Sequence, residues 1–202
     1  MRRLPLSRRG DHEDLADERP SDAALVARAL DRDASAHEAL FRRHRMAVYR
    51  LSCRLVGWTD ADDLLQDCFV EAFSSLHRLR EPAAFSGWLS AIVVRTANKR
   101  MRRRRLLERL GLRRRWPVDV DMLVAPTAPP DTMAEIRNIY SLLAVLPAEA
   151  QVALVLRRIE GLSLDEIAVT MNRSLATVKR RLVQAEGLLN EKLDWNPGKR
   201  AS

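Results

Sequence analysis

The sequence predicts an all-α protein made of two small helical domains joined by a flexible linker, the second domain a helix-turn-helix. Three observations carry this. Apolar residues recur at three- and four-residue steps along every periodic segment, the spacing of a helix with one buried face. The periodic pattern stops after residue 111 and resumes near residue 132, and the stretch from Trp116 to Asp131 between them holds four prolines. From Leu146 to Leu189, two capped helices follow one another across a tight polar turn, preceded by a third.

Residues 1–20 mix Arg, Asp, Glu and Pro without a period and read as a disordered tail. The first domain spans residues 21–111. Ser21 can cap a helix carrying Leu25, Val26, Ala29 and Leu30. A second helix runs from about Ala34 to Val56, with Leu40, Phe41, Val48, Leu51 and Leu55 as core candidates, and Gly57 stops it. Thr59 is the expected N-cap of the third, and Asp60, Asp62 and Asp63 occupy its first turn, where the helix dipole favours negative charge. Leu65, Cys68, Phe69, Ala72, Phe73 and Leu76 form its buried side.

Capping does not explain the stripe Asp63, Asp67, Glu71 on the other side of that helix, spaced i, i+4, i+8 with no basic residue among them. Like charges at this spacing cost a helix about 0.2–0.5 kcal/mol per pair. The stripe is therefore either a solvated face or one that meets a partner of opposite charge. A loop containing Arg80, Glu81 and Pro82 follows, since the proline argues against a continuous helix. The next helix begins near Phe85 and buries Phe85, Trp88, Leu89, Ile92 and Val93. Its second half carries Arg95, Asn98, Lys99, Arg100 and then Arg102, Arg103, Arg104 and Arg105. Such self-repulsion is tolerated most easily where phosphates neutralise it, the alternative being a solvated helix end.

The linker, residues 112–131, opens on Arg113, Arg114 and Arg115 and has Asp119 and Asp121 at its acidic middle. The second domain, residues 132–195, starts with Ile136, Ile139, Tyr140, Leu143 and Leu146 on one helix. After Pro147 comes another, with Val152, Val155, Leu156 and Ile159 on its apolar face and Gly161 at its end. Ser163 and Glu166 have the spacing of a capping box, and Leu164, Ile167, Ala168 and Met171 are the buried side of the short helix they open. Asn172, Arg173 and Ser174 supply the turn. In the last helix Val178, Leu182, Ala185 and Leu189 point inward, leaving Ala176, Thr177, Lys179, Arg180, Arg181 and Gln184 on or beside the open face. Hydroxyl and basic residues at the start of such a helix suit the DNA major groove. Residues 196–202 are a second tail.

Composition narrows the function. The chain has 202 residues, 47% of them hydrophobic, and a net charge of +8, which favours a polyanionic partner. Nucleic acid fits better than a membrane, because no apolar run approaches the roughly 20 residues needed to span a bilayer. The N-terminus has positive charge but no apolar core of a secretion signal, so a cytoplasmic location is expected. Cys53 and Cys68 fall within apolar helical patterns, and His12, His37, His44 and His77 are scattered. Neither metal nor cofactor is expected, and the cysteines read as buried thiols. Asp62, Asp63 and Asp67 form a DDxxxD run that could hold magnesium on a diphosphate, but no second acidic cluster faces it. A stand-alone helix-turn-helix regulator would explain residues 146–189 and leave the acidic helix unused.

Taken together, the segments resemble the extracytoplasmic-function sigma factors of bacteria, over roughly Asp22 to Leu193. SDAALVARALDRDASAHEALFRRH is similar to the family's opening helices, DADDLLQDCFVEAF to its polymerase-binding helix, FSGWLSAIVVRTANKRMRRR to its promoter-melting helix, and the run from Leu146 to Leu189 to its C-terminal helix-turn-helix. The resemblance implies that Asp63, Gln66, Asp67 and Glu71 face the clamp helices of the largest subunit of core RNA polymerase. The loop from His77 to Gly87 would hold a flipped base of the melted minus-ten strand, and Arg95, Asn98, Lys99, Arg102 and Arg103 would line that DNA. Arg173, Ser174, Thr177, Lys179 and Arg180 would read the minus-thirty-five duplex, while the linker threads the polymerase interior. Such a protein is not an enzyme and needs no cofactor; its partners are core polymerase, promoter DNA and an anti-sigma factor, in a stress or envelope-signal response. Members usually have Asn where Arg95 stands, and the long N-terminal tail is not part of the pattern.

Overall fold

Capping side chains start the first helices where the sequence places them. In the computed structural model, which describes residues 20–112, 142–143 and 146–193, the Ser21 hydroxyl accepts from the Ala24 amide at the head of α1 (Asp22–Leu30). Asp33 accepts from the Ser35 and Ala36 amides at the head of α2 (Ala34–Val56), which ends at Gly57 with φ 81°. Hydrogen bonds from Ser35 and then Arg28 hold the Asp33 carboxyl down at about 2. The third helix departs from expectation. Residues Trp58–Asp60 form a 3-10 turn, and the residue before α3 (Ala61–Ser74) is Asp60, with no side-chain cap from Thr59 or Asp60. The turn supplies the missing bond itself, the Ala61 amide donating to the Trp58 carbonyl. Two more 3-10 turns, Leu76–Arg78 and Pro82–Ala84, make up the connection to α4 (Phe85–Arg109), which runs unbroken through the arginine run.

The other three of these helices, α1, α3 and α4, pack around α2. The predicted core is buried with few exceptions: Leu30 is 45% exposed, and in α3 the fully buried leucine is Leu64, not Leu65. Leu64, Cys68 and Ala72 repeat at four-residue steps down the centre of the buried stripe, leaving Leu65 at its edge. Edge-on aromatic pairs lock the layers, Phe41 on Phe69 at 4.7 Å and His44 on Phe85 at 5.2 Å between ring centroids. Asp22 ties α1 to α2 by accepting from Arg43 at 2.6 Å and pairing with His44 at 2.8 Å. Cys53 and Cys68 are free and buried, and desolvation pushes the Cys68 thiol up to about 12.

The second body is α5 (Ala148–Arg158), α6 (Leu164–Met171) and α7 (Leu175–Leu193), each touching the other two, with Leu142, Leu143 and Leu146 buried beside them. The capping box forms as expected, the Ser163 hydroxyl accepting from the Glu166 amide while Glu166 accepts from the Ser163 amide. Asn172 closes α6 in the left-handed conformation, φ 51°, and Ser174 accepts from the Thr177 amide at 3.3 Å to open α7. Ile159 falls one residue past the end of α5 and is 45% exposed, so it leaves the apolar stripe assigned to it. The two bodies are in contact: α4 packs on α5 and α6, and α2 reaches α5. The expected N-terminal tail before Pro20, all of the linker but Leu112, the helix around Ile136, Ile139 and Tyr140, and the C-terminal tail lie outside the described residues.

Candidate nucleic-acid and protein interface

On α3 the acidic stripe faces outward, as the spacing predicts: Asp63, Gln66 and Asp67 are exposed and Glu71 half-buried. It does not wait unpaired for a partner. Arg95 of α4 donates to Glu71 at 2.5 Å, Thr96 donates to the other oxygen of Glu71 at 3.2 Å, and Arg100 donates to Asp67 at 2.5 Å and to the Asp63 backbone carbonyl at 3.2 Å. The cations missing from the helix arrive from its neighbour, so mutual repulsion within the stripe is relieved inside the fold.

The predicted DNA residues of α4 separate into several environments. Lys99 and Arg103 are exposed, Arg95 is taken up by Glu71, and Arg102 donates to Glu149 of α5. Asn98 is half-buried, and its Oδ1 has no hydrogen-bond partner among the described residues. Arg104, assigned no role, donates to the Val56 carbonyl at 3.3 Å and pairs with Asp60 at 3.6 Å, which anchors the helix end to the start of α3. In the loop from His77 to Gly87, His77 and Arg80 are exposed while Leu79 packs against the core.

The helix-turn-helix presents Ser174, Lys179 and Arg180 outward, with Thr177 half-buried beside Ser174, its hydroxyl 2.9 Å away. Arg173 and Arg181 turn the other way. Both donate to Glu149, Arg173 at 2.9 Å and Arg181 at 3.0 Å, and the Glu149 side chain is only 8% exposed. Burial pushes this carboxyl up; the hydrogen bonds from Arg173 and Arg181 and the charges of Arg173 and Arg102 outweigh it, leaving it below its usual range. Glu149 is the residue that pattern reading missed. Its signal was present, because Glu149 lies three and four residues before Val152 and Ala153 and so sits on the apolar face of α5. A carboxylate on a buried face must find partners.

Residues 40–106 match the family model for Sigma-70 region 2, and residues 136–189 that for Sigma-70 region 4. The ECF RNA polymerase sigma-E factor of Escherichia coli strain K12 is 30% identical over 191 residues, covering 87% of this chain and 96% of that protein. The chain belongs to the ECF sigma factors. The sigma-E factor of Haemophilus influenzae is 28% identical over 192 residues, 87% of this chain and 97% of its own length. Among solved structures, CnrH in complex with the cytosolic domain of CnrY shares 27% identity at a TM-score of 0.58, covering 86% of this chain and 97% of that one. RpoE of Bartonella quintana, solved in complex with the anti-sigma factor NepR, shares the fold at a TM-score of 0.59 over 78% of this chain and 98% of that one, with 21% identity. The region 2 match thus takes in most of α2, all of α3 and most of α4, with their paired acidic and basic faces, and the region 4 match takes in α5, α6 and most of α7. The family is one of transcription initiation factors that give RNA polymerase its promoter specificity, and no helix of the described residues is long and apolar enough to cross a membrane.

Proposed function

We propose that region 2 binds the clamp of the largest subunit of core RNA polymerase through Asp63, Gln66, Asp67 and Glu71. The neighbouring face of α4, with Arg95, Asn98, Lys99, Arg102 and Arg103, and the loop from His77 to Gly87 then meet the melted minus-ten strand. Region 4 reads the minus-thirty-five duplex through Arg173, Ser174, Thr177, Lys179 and Arg180. The observation that carries this reading is the abutment on region 2 of an acidic face on α3 and a basic face on α4. One suits a basic protein surface and the other a phosphate backbone, and they lie side by side as they must where a polymerase holds opened DNA. The protein is not itself an enzyme: phosphate contacts give register, base contacts give choice, and the polymerase supplies the chemistry without a cofactor from this chain. We place it in the cytoplasm, in a response to stress or an envelope signal, under an anti-sigma factor as Bartonella RpoE is under NepR. Adding the purified chain to core polymerase on a promoter library tests the reading. Initiation at defined start sites supports it. Duplex binding without any initiation would favour the stand-alone regulator.

A further inference from the structure

We infer that the cavity between the α1–α2 turn and the end of α3 binds a nucleotide, with its base against the apolar wall and its phosphate at Arg32. The cavity has a volume of about 640 Å3, within the roughly 300–1,000 Å3 of small-ligand sites. Leu30, Phe73 and Leu76 supply its apolar wall, and Arg32, His37 and His77 its main polar groups. None of the nine residues that line it is acidic. The sequence places Leu30 in the core, yet it is 45% exposed, so the fold leaves an apolar side chain wet at this place. A ligand with an apolar face would take that surface out of water.

The polar groups select the class of ligand. Arg32 lies in the turn between the two helices with φ 64°, and it forms no ion pair with the described residues, so its guanidinium is open to a phosphate. Asp31 and Asp33 flank it in the chain but do not line the cavity, and the Asp33 carboxylate is held by Arg28 and Ser35. His37 Nδ1 lies 2.9 Å from the Asp33 backbone carbonyl. A carbonyl only accepts, so the proton of the neutral ring sits on Nδ1 and Nε2 is left as an acceptor. Every nucleobase carries an N–H on its pairing edge that can donate to such a nitrogen, and an aromatic carboxylate has none. The Phe73 ring, edge-on to His37 with centroids 4.9 Å apart, offers the flat face of a base an aromatic surface. Two sources supply this chemistry, a free mononucleotide or a nucleotide within a single DNA strand. His77 belongs both to the cavity and to the loop proposed above to meet the melted strand, so the second source rests on that reading. The cavity itself does not.

The test titrates the isotope-labelled full-length protein with dAMP, dCMP, dGMP and dTMP while NMR follows the amides of Leu30, Arg32, His37 and His77. Saturable shifts at these residues are expected with at least one nucleotide, and neither inorganic phosphate nor benzoate at the same concentrations should reproduce them. No saturation with any of the nucleotides, or equal shifts from phosphate or benzoate, would overturn the assignment. Arg32→Gly removes the guanidinium at a positive φ that glycine adopts freely, so its thermal midpoint should hold or rise. Its nucleotide affinity should fall about tenfold, the scale of one charge-assisted hydrogen bond. Leu30→Glu changes an exposed position, so the chain should stay folded, and the added carboxylate on the apolar wall should abolish binding. Wild-type affinity in either folded variant would remove the ligand from this cavity. A single-stranded oligonucleotide without terminal phosphates separates the two sources. Shifts at the same residues with the oligonucleotide identify the strand, and shifts with mononucleotides alone identify the free nucleotide. Initiation with core polymerase, assayed on the same preparations, reports separately on the sigma reading, so failure of one is not mistaken for failure of the other.

Discussion

Glu149 illustrates how a single buried side chain can tie together arginines from separate elements, Arg102 of α4, Arg173 of the turn and Arg181 of α7. Its carboxyl is held below the usual range because the arginines around it outweigh the burial that would raise it. A carboxyl depressed in the folded state contributes stability above its unfolded value, near 4.5, and loses that contribution as pH falls through the folded value. Glu149→Gln keeps the shape and removes the charge. Its arginine partners are 29% to 59% exposed and can turn to water, so the cost is that of lost charge-assisted bonds, about 1.5–3 kcal/mol at pH 7. We expect urea unfolding at pH 7 to show that loss and the gap from wild type to narrow at pH 4. An unchanged gap would mean the charge is not what matters. Cys68 gives a second check: a thiol pushed up to about 12 by desolvation stays neutral, so the folded protein should resist a thiol reagent at pH 8 and react once unfolded.

Single helices were the most legible level of the sequence. Ser21, Ser163 and Ser174 cap the helices assigned to them, because a hydroxyl three residues from a free amide acts locally. Ser163→Ala should accordingly cost about 1 kcal/mol, read from the thermal midpoint. Thr59 was misassigned for an equally local reason: the chain enters α3 through a 3-10 turn that satisfies the backbone without a cap. The acidic stripe was found but its partners were not, since Arg95 and Arg100 lie 24 and 33 residues away and periodicity along one helix cannot say what its neighbour brings. Those partners revise the behaviour of Asp67→Lys. The lysine would gain pairs with Asp63 and Glu71 at about 0.2–0.5 kcal/mol each, but it would lose the pair with Arg100 and face that cation. The terms nearly cancel, and the midpoint should move by no more than a few degrees. Against a basic clamp surface nothing cancels, so the variant should fold and fail to co-purify with core polymerase. Normal retention by the polymerase would remove Asp67 from that interface.

Which residues join the two bodies was not legible in the sequence. Both bodies show amphipathic patterns of their own, and of the residues that join them, Arg54, Arg102, Arg105, Glu149, Gln151 and Glu160, the polar Glu149 on the apolar face of α5 carried a signal but did not name its partner. The same contact makes basic residues of the reading surface unequal as probes. Arg173→Ala would weaken DNA contact and also unsettle Glu149, so a loss of transcription in that variant has two causes. Arg180 is exposed, and it forms no ion pair with the described residues. Its removal should leave the fold and α3 unchanged. If it contacts a base in the major groove, Arg180→Ala should cost about 1–3 kcal/mol there, a fall of roughly 5- to 150-fold in initiation at promoters that depend on the upstream element. Affinity for core polymerase and the radius of gyration of the free chain should stay at their wild-type values. Full initiation by Arg180→Ala would take this residue off the DNA face, and a loss of polymerase affinity would place α7 against protein instead of DNA.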